Sequence, residues 1–278
     1  KKRIFNNLGS VFLYKVSSML LNATDNILIS VLICTAMVGY YSNYLLLQTK
    51  IVAIISLLFT SVTASIGNLI VTENSEKRFK VFKCEQSISC FICGIVVPCY
   101  ILLADDFIRV WLGSEYQLGF AMSCAIGLNM YLSCVMQPLW SYREATGLYR
   151  KTKWIMVICA IINIVLSIVL GKIIGVIGII LASAIARIVT YVWYEPKILF
   201  REYFENSEKG YYVQLIKNIF LIIVLVILGK YFEKVFFVSG YGTWILKASI
   251  LACVFVLTTY LFYKNSEGVN YIKQKIKR

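Results

Sequence analysis

The chain has 278 residues, of which 59% are hydrophobic and 15% are charged, and its mean hydropathy is +0.76. These values exclude an ordinary soluble domain of this length. The formal net charge of +14 would suggest nucleic acid as a partner of a soluble protein. Here the long apolar runs between the charges indicate a polytopic membrane protein instead, and we expect no nucleic-acid partner.

Eight apolar runs are long enough to cross a bilayer as helices. A hydrocarbon core about 30 Å thick requires roughly 20 apolar residues of helix, and continuous rather than alternating runs favour helices over strands. In chain order the predicted crossings are Asn7–Ile33, Met37–Ile70, Phe82–Ala104, Leu118–Ser141, Trp154–Leu170, Ile173–Ile198, Tyr212–Tyr231 and Thr243–Tyr263. The predicted fold is therefore an all-α polytopic membrane protein with eight transmembrane helices.

Lysine and arginine concentrate in alternate gaps between these runs. The basic segments are Lys1–Arg3, Lys77–Lys83, Arg143–Lys153, Lys197–Lys217 and Lys264–Arg278. The intervening gaps contain Arg109, Lys172, Lys230 and Lys234 alone. Because basic loops stay on the cytoplasmic side, we predict a multi-pass protein of the cytoplasmic membrane with both termini of this chain in the cytoplasm.

Polar residues recur along single faces of several predicted helices. In the first helix, Lys15, Ser18, Asn22 and Asp25 follow a spacing that places them on one face. Ionisable groups at membrane depth cost roughly 3 kcal/mol or more, and they normally face a bundle interior or a watery cavity. We therefore expect a substrate cavity lined by Lys15, Asn22, Asp25, Asn43, Lys50, Asn129, Gln137 and Arg187.

The charges in this set favour an anionic ligand. Lys15, Lys50 and Arg187 are cationic, whereas Asp25 is the one carboxylate near the middle of a predicted crossing. We expect Asp25 to neutralise Lys15 or Lys50 when no substrate is bound. For isolated serine, threonine and asparagine residues, hydrogen bonding between helices is the simpler interpretation. Lys247 is expected near a membrane interface, where a long side chain can reach the headgroups.

Catalytic and metal chemistry have little support in the sequence. Histidine, the commonest general base and metal ligand, does not occur. The nine cysteines fall almost entirely within apolar runs. Cys90 and Cys93 form the one C-x-x-C pair, and we interpret both as small packing residues. We predict no catalytic residue, no metal site and no cofactor.

Four motifs occur in an informative order along the chain. They are Thr24–Ser30 followed by Val38–Ser42, then Phe107–Gly113, then Ala145–Gly147, then Asn163–Ile164 followed by Gly175–Gly178. Together they resemble the polysaccharide-transporter branch of the multidrug/oligosaccharidyl-lipid/polysaccharide flippase superfamily, the Wzx-like flippases of lipid-linked oligosaccharides.

This resemblance implies two lobes of six helices followed by two further helices. Residues 1–200 would be the second lobe, and residues 201–278 would supply two additional helices and a basic cytoplasmic tail. The first lobe would then be missing from this sequence, which begins with lysine rather than methionine. By the same resemblance, the protein moves sugars on polyprenyl pyrophosphate from the inner to the outer leaflet by alternating access, for cell-surface polysaccharide synthesis.

The same resemblance implies the partners. The implied partners are the lipid-linked oligosaccharide, membrane lipids and the polysaccharide polymerase machinery, and the implied protein is not an enzyme.

Three other kinds of function compete with this one. A drug or cation exporter of the same superfamily would need a net acidic cavity. A membrane-embedded polysaccharide polymerase or acyltransferase would need a large outer loop or a membrane histidine. A structural or assembly subunit would leave the charged helix faces unexplained.

Overall fold

The computed structural model describes the backbone of residues 2–270 and the side chains of residues 8–21 and 23–270, and no strand occurs within them. The helices are α1 (Lys2–Leu32), α2 (Thr35–Thr60), α3 (Thr63–Thr72), α4 (Ser75–Leu112), α5 (Phe120–Val135), α6 (Gln137–Thr146), α7 (Tyr149–Val189), α8 (Tyr191–Leu199), α9 (Lys209–Glu233) and α10 (Tyr241–Tyr263). A 3-10 turn, Ser114–Tyr116, joins α4 to α5, and a π-helical turn, Phe200–Phe204, follows α8. The predicted all-α class is confirmed.

Helix α7 is a hairpin of two antiparallel segments. Its backbone breaks at Ile174 and Gly175, and Gly175 has a φ of +67°, a left-handed value that glycine adopts readily. Asn163 Nδ2 lies 2.8 Å from Ser183 Oγ, although the intervening length of continuous helix would separate them by about 30 Å. The two segments, 149–173 and 176–189, correspond to separate predicted helices on either side of this turn.

Gly178 allows the two segments of α7 to approach closely. A Cβ at residue 178 would lie 2.2 Å from the backbone oxygen of Leu170, which cannot rotate away. We expect Gly178→Ala to lower the melting temperature of the purified protein, because overpacking costs about 1–3 kcal/mol. Gly210→Ala is the matched control, since a Cβ there meets no atom within 4 Å. An equal loss in both variants would contradict this explanation of the turn.

The length and composition of the described helices support fewer crossings than the eight predicted from the sequence. Five helical stretches of the described chain are long and apolar enough to span a membrane, or six if the bent pair α5–α6 forms one span. One reason is that residues 149–204 count as one stretch although α7 reverses direction. Another is that the polar residues of α1 lower its average hydropathy. The overlong second predicted crossing consists of two helices, α2 and α3.

An aromatic cluster joins several helix ends at one end of the bundle. Phe82 packs against Tyr142, Phe200, Phe204 and Tyr211 with ring centroids 5.0–6.1 Å apart. These residues bring together the beginning of α4, α6, the π-helical turn and the beginning of α9. Three of the segments that the sequence predicts to be basic and cytoplasmic, 77–83, 143–153 and 197–217, contain or adjoin these rings, so the fold gathers these three at the same end.

Lys247 is buried in the protein, which corrects the expectation that its side chain reaches the headgroups. Its side chain is 1% exposed, and its Nζ lies 2.7 Å from Asp106 Oδ2 and 2.8 Å from Glu233 Oε1. It also donates to the backbone oxygen of Leu102 at 3.1 Å. The two carboxylates offset the cost of burying the ammonium and tie α10 to α4 and α9.

The division of the chain into a lobe, residues 1–200, and two additional helices with a tail, residues 201–278, stays a prediction.

Candidate substrate cavity

A cavity of about 580 Å³ lies among α1, α2, α5, α6 and α7. Five of the residues predicted from the sequence line it together: Lys15, Asp25, Asn129, Gln137 and Arg187. Polar residues from α1, α2 and α5 add hydroxyl and amide groups, namely Ser18, Gln48, Thr49, Ser56 and Ser133. The cavity can therefore offer both charges and neutral hydrogen-bonding groups to a ligand.

The remaining predicted residues do not line this cavity as described. Asn43 is partly buried and Lys50 is exposed, and neither belongs to the cavity wall. Both lie on α2, whose buried side chains include Tyr41 and Gln48. Because each is two residues, or about 200° of helix, beyond one of these residues, both point away from the cavity that Tyr41 and Gln48 line. The side chain of Asn22 lies outside the described residues.

Asp25 accepts hydrogen bonds from a buried hydroxyl network. Ser183 Oγ lies 2.9 Å from Asp25 Oδ1 and 3.1 Å from Oδ2, and Asn163 Nδ2 donates to that serine oxygen at 2.8 Å. Ser167 Oγ lies 3.4 Å from the same amide nitrogen. The carboxylate of α1 is thus held by both segments of the α7 hairpin.

Arg187 supplies a buried cation to the cavity wall. It extends from the second segment of α7, is 9% exposed, and donates from Nη1 to Ser133 Oγ at 3.1 Å. Its charge also attracts that of Asp25. The sequence analysis expected Asp25 to neutralise Lys15 or Lys50. In the structure the cation that attracts Asp25 is Arg187, whereas Lys15 Nζ lies 3.6 Å from Glu144 Oε1.

Two amide side chains brace the cavity wall. Asn129 Nδ2 donates to the backbone oxygen of Ile180 at 2.8 Å and joins α5 to α7, while Gln137 Nε2 donates to the backbone oxygen of Ser133 at 3.1 Å. Asn129 Oδ1 is buried and has no hydrogen-bond partner within the described part of the chain. A buried acceptor without a partner is costly, so a ligand hydroxyl that donates to it would be favoured.

A buried ion pair closes the basic end of the cavity, and the sequence analysis missed it. Arg143 was expected in a basic loop but lies in α6, 7% exposed, with Nη1 3.0 Å from both carboxylate oxygens of Glu195 in α8. Tyr14 Oη donates to Glu195 at 3.1 Å, and its ring lies 4.4 Å from the guanidinium. The available signal was Glu195, the one acid within the predicted crossing Ile173–Ile198.

The cavity holds balanced charges rather than the cationic excess predicted from the sequence. Lys15, Arg143 and Arg187 line it together with the carboxylates Asp25 and Glu144. Arg143 is neutralised by Glu195, Lys15 lies near Glu144, and Arg187 attracts Asp25. An anionic ligand would therefore have to displace a carboxylate from the cation that the ligand binds.

The apolar helices and the interior polar cavity define a helical membrane protein. Residues 2–119 match the family described as polysaccharide biosynthesis protein. This match confirms the predicted resemblance to a polysaccharide transporter and supports a role in polysaccharide synthesis or transport. It covers the first two motifs, whereas Ala145–Gly147 and the motif after Asn163 lie beyond it. No curated protein and no solved structure matches the chain.

Proposed function

We propose that this chain forms part of a flippase that moves polyprenyl-pyrophosphate-linked oligosaccharide across the cytoplasmic membrane by alternating access. The observation that carries the proposal is the cavity in which Lys15, Asp25, Asn129, Gln137 and Arg187 meet. It is supported by the family match over residues 2–119. The function is transport and involves no covalent catalysis by the chain.

The proposed chemistry assigns different parts of the substrate to different groups. Arg187 binds a pyrophosphate oxygen, because a guanidinium forms strong charge-assisted hydrogen bonds with phosphate. Asn129, Gln137 and the cavity hydroxyls bind the sugar, while the polyprenyl tail remains in lipid. A cation exporter is less well supported, because it would need a net acidic cavity, whereas the charges of this one are balanced once Glu195 neutralises Arg143.

Depletion of the protein in its native cells tests this function. We expect lipid-linked oligosaccharide to accumulate in the inner leaflet, and polymer at the cell surface to fall. The same plasmid-borne gene should reverse both changes. Normal polymer with no accumulated lipid-linked precursor would overturn the proposal.

We further propose eight crossings, with the basic end of the bundle in the cytoplasm. The crossings are α1, α2 with α3, α4, α5 with α6, each segment of α7 (the second continued by α8), α9 and α10. This arrangement alternates the chain direction and places the loop after α4 outside. It is supported by the positive-inside rule and by the position of three basic segments, 77–83, 143–153 and 197–217, around Phe82.

Cysteine labelling in intact cells checks this orientation. In a background with the exposed Cys34 and Cys253 replaced by serine, a membrane-impermeant maleimide should modify Ser114→Cys and spare Lys151→Cys. Lys172→Cys, in the hairpin turn, is a second outer position and should also be modified. All three substituted positions should react after the cells are permeabilised. Modification of residue 151 alone in intact cells would contradict the orientation.

Asp25 is proposed either to release Arg187 when substrate arrives or to bind the proton that drives transport. Asp25→Asn keeps the shape and removes the charge. In the first case substrate affinity changes and transport stays insensitive to the proton gradient. In the second case binding persists and any dependence of transport on pH is lost. Wild-type affinity, rate and pH profile in Asp25→Asn would contradict both roles. Thr24→Ala is the control, because Thr24 lies on the same helix but does not line the cavity.

A further inference from the structure

A second cavity of about 580 Å³ opens between α4, α5 and α9. Its walls are mainly apolar and include Val97, Ile101, Leu128, Ile223 and Val226. Ile223 and Ile227 are both 50% exposed, so one side of this groove faces the surroundings of the bundle. In a membrane those surroundings are lipid, and an apolar groove is a place where an acyl chain can pack.

The groove is separate from the candidate substrate cavity. Both cavities use α5, but Cys124, Leu128 and Tyr131 line the groove, whereas Asn129 and Ser133 line the substrate cavity. Residues 124, 128 and 131 repeat at helical spacing and therefore share one face of α5. A molecule in the groove is thus divided from the substrate by the body of α5.

Two lysines give the groove a charged end. Lys230 and Lys234, at the end of α9, are the charged residues that line it. Lys230 Nζ lies 4.0 Å from the ring centroid of Phe120 and 2.5 Å from Glu233. Lys234 is exposed, and its Nζ lies 5.0 Å from the ring centroid of Tyr231. A ligand of this groove therefore needs an apolar body and an anionic head.

The surrounding charges retain a positive excess at this end. The local network adds Lys247 and Arg109 to the two lysines, and it contains the carboxylates Asp106 and Glu233. Lys247 is fully enclosed by its acids, so the cation exposed to a ligand is above all Lys234. An anionic headgroup thus meets uncompensated positive charge.

The length of the groove corresponds to one leaflet. The segment of α9 from Ile219 to Tyr231 lines it and spans about 18 Å at the helical rise of 1.5 Å per residue. Half of a hydrocarbon core is about 15 Å. The apolar part can therefore accommodate the chains of a lipid whose headgroup lies at Lys230 and Lys234.

We propose that this groove binds an anionic glycerophospholipid, with its acyl chains along α5 and α9 and its phosphate beside Lys234 and Lys230. In the orientation proposed above, this lipid belongs to the outer leaflet. It is a bound membrane lipid rather than the transported substrate, so the site extends beyond the proposed function. Its occupancy can be measured without any transport assay.

Titration of the purified protein in detergent with phosphatidylglycerol, followed by native mass spectrometry, tests the charged end. We expect Lys234→Gln to weaken binding about fivefold, the effect of one basic residue near an anionic lipid. Lys172→Gln is the matched control, because it removes one exposed cation elsewhere. Phosphatidylcholine should bind the wild type more weakly than phosphatidylglycerol. Equal weakening by both substitutions would overturn the proposal.

A second pair of variants tests the apolar part. Val226→Trp places a large side chain in the groove and should reduce phosphatidylglycerol binding at least as much as Lys234→Gln. Leu228→Trp is the control, since Leu228 is 56% exposed on α9 and does not line the groove. Unchanged binding in a folded Val226→Trp protein would overturn the site. Displacement of phosphatidylglycerol from the groove by equimolar polyprenyl phosphate would also overturn it, by assigning the groove to the substrate.

Discussion

Arg187→Ala is expected to reduce transport of lipid-linked oligosaccharide tenfold or more without loss of the folded protein. Arg187 is a buried cation of the cavity wall, its Nη1 donates to the neutral hydroxyl of Ser133, and its charge attracts that of Asp25. A hydrogen bond to a charged group contributes about 1.5–3 kcal/mol, which corresponds to a tenfold change or more. Initial transport rates in vesicles with matched protein content would measure the effect.

Two further variants separate charge from packing at this position. Arg187→Lys retains the positive charge and should recover part of the rate, although it loses the planar geometry of the guanidinium. Lys172→Ala removes a distant exposed cation and should transport as the wild type does. Full activity in Arg187→Ala would leave Arg187 as a packing residue that only joins α7 to α5.

Glu195→Gln is expected to cause the largest loss of stability, about 3–5 kcal/mol, because it leaves Arg143 buried without its carboxylate. The pair is almost inaccessible, with side chains 8% and 4% exposed. The amide keeps one oxygen that can accept from Tyr14, but it presents an NH2 group to the guanidinium of Arg143, which contacts both carboxylate oxygens of Glu195. Unfolding of the purified protein by denaturant or heat would measure the change, with membrane expression as a second readout.

The exposed pair Lys151–Glu202 is the matched control for this ion pair. Lys151 lies at the beginning of α7, and Glu202 lies in the π-helical turn that follows α8. Unlike the buried pair, these side chains are 53% and 30% exposed. Glu202→Gln should therefore cost at most about 1 kcal/mol. The double variant Arg143→Met, Glu195→Leu should recover much of the loss, because an apolar pair removes both buried charges. Equal losses in Glu195→Gln and Glu202→Gln would contradict the buried role of Glu195.

Local sequence patterns predicted those features that depend on spacing within one helix. The spacing of Lys15, Ser18 and Asp25 correctly indicated a face of α1 that borders a polar cavity. The predicted boundary between the crossings Trp154–Leu170 and Ile173–Ile198 lies close to the turn of α7, where Gly175 adopts a left-handed conformation and Gly178 lies against Leu170. In each case the deciding interaction is set by nearby residues along the chain.

Features that depend on distant residues could not be obtained in this way. Arg143 and Glu195 lie 52 residues apart, and the partners of Lys247 are on two other helices. Periodicity placed Asn43 and Lys50 on one face of α2, but only packing determines which face is buried. The balance of charge in the cavity also depends on such distant pairs, and this explains why a cationic excess was predicted.

Transport by the purified protein in vesicles is the most direct measurement of the proposed function. Vesicles would carry labelled polyprenyl-pyrophosphate-linked oligosaccharide in both leaflets, and an external glycosidase would cleave only the sugar exposed outside. The proposal predicts that cleavage proceeds beyond the outer-leaflet pool when the wild-type protein is present, and that Arg187→Ala slows this second phase. Cleavage that stops at the outer-leaflet pool in vesicles with and without the protein would contradict the assignment as a flippase.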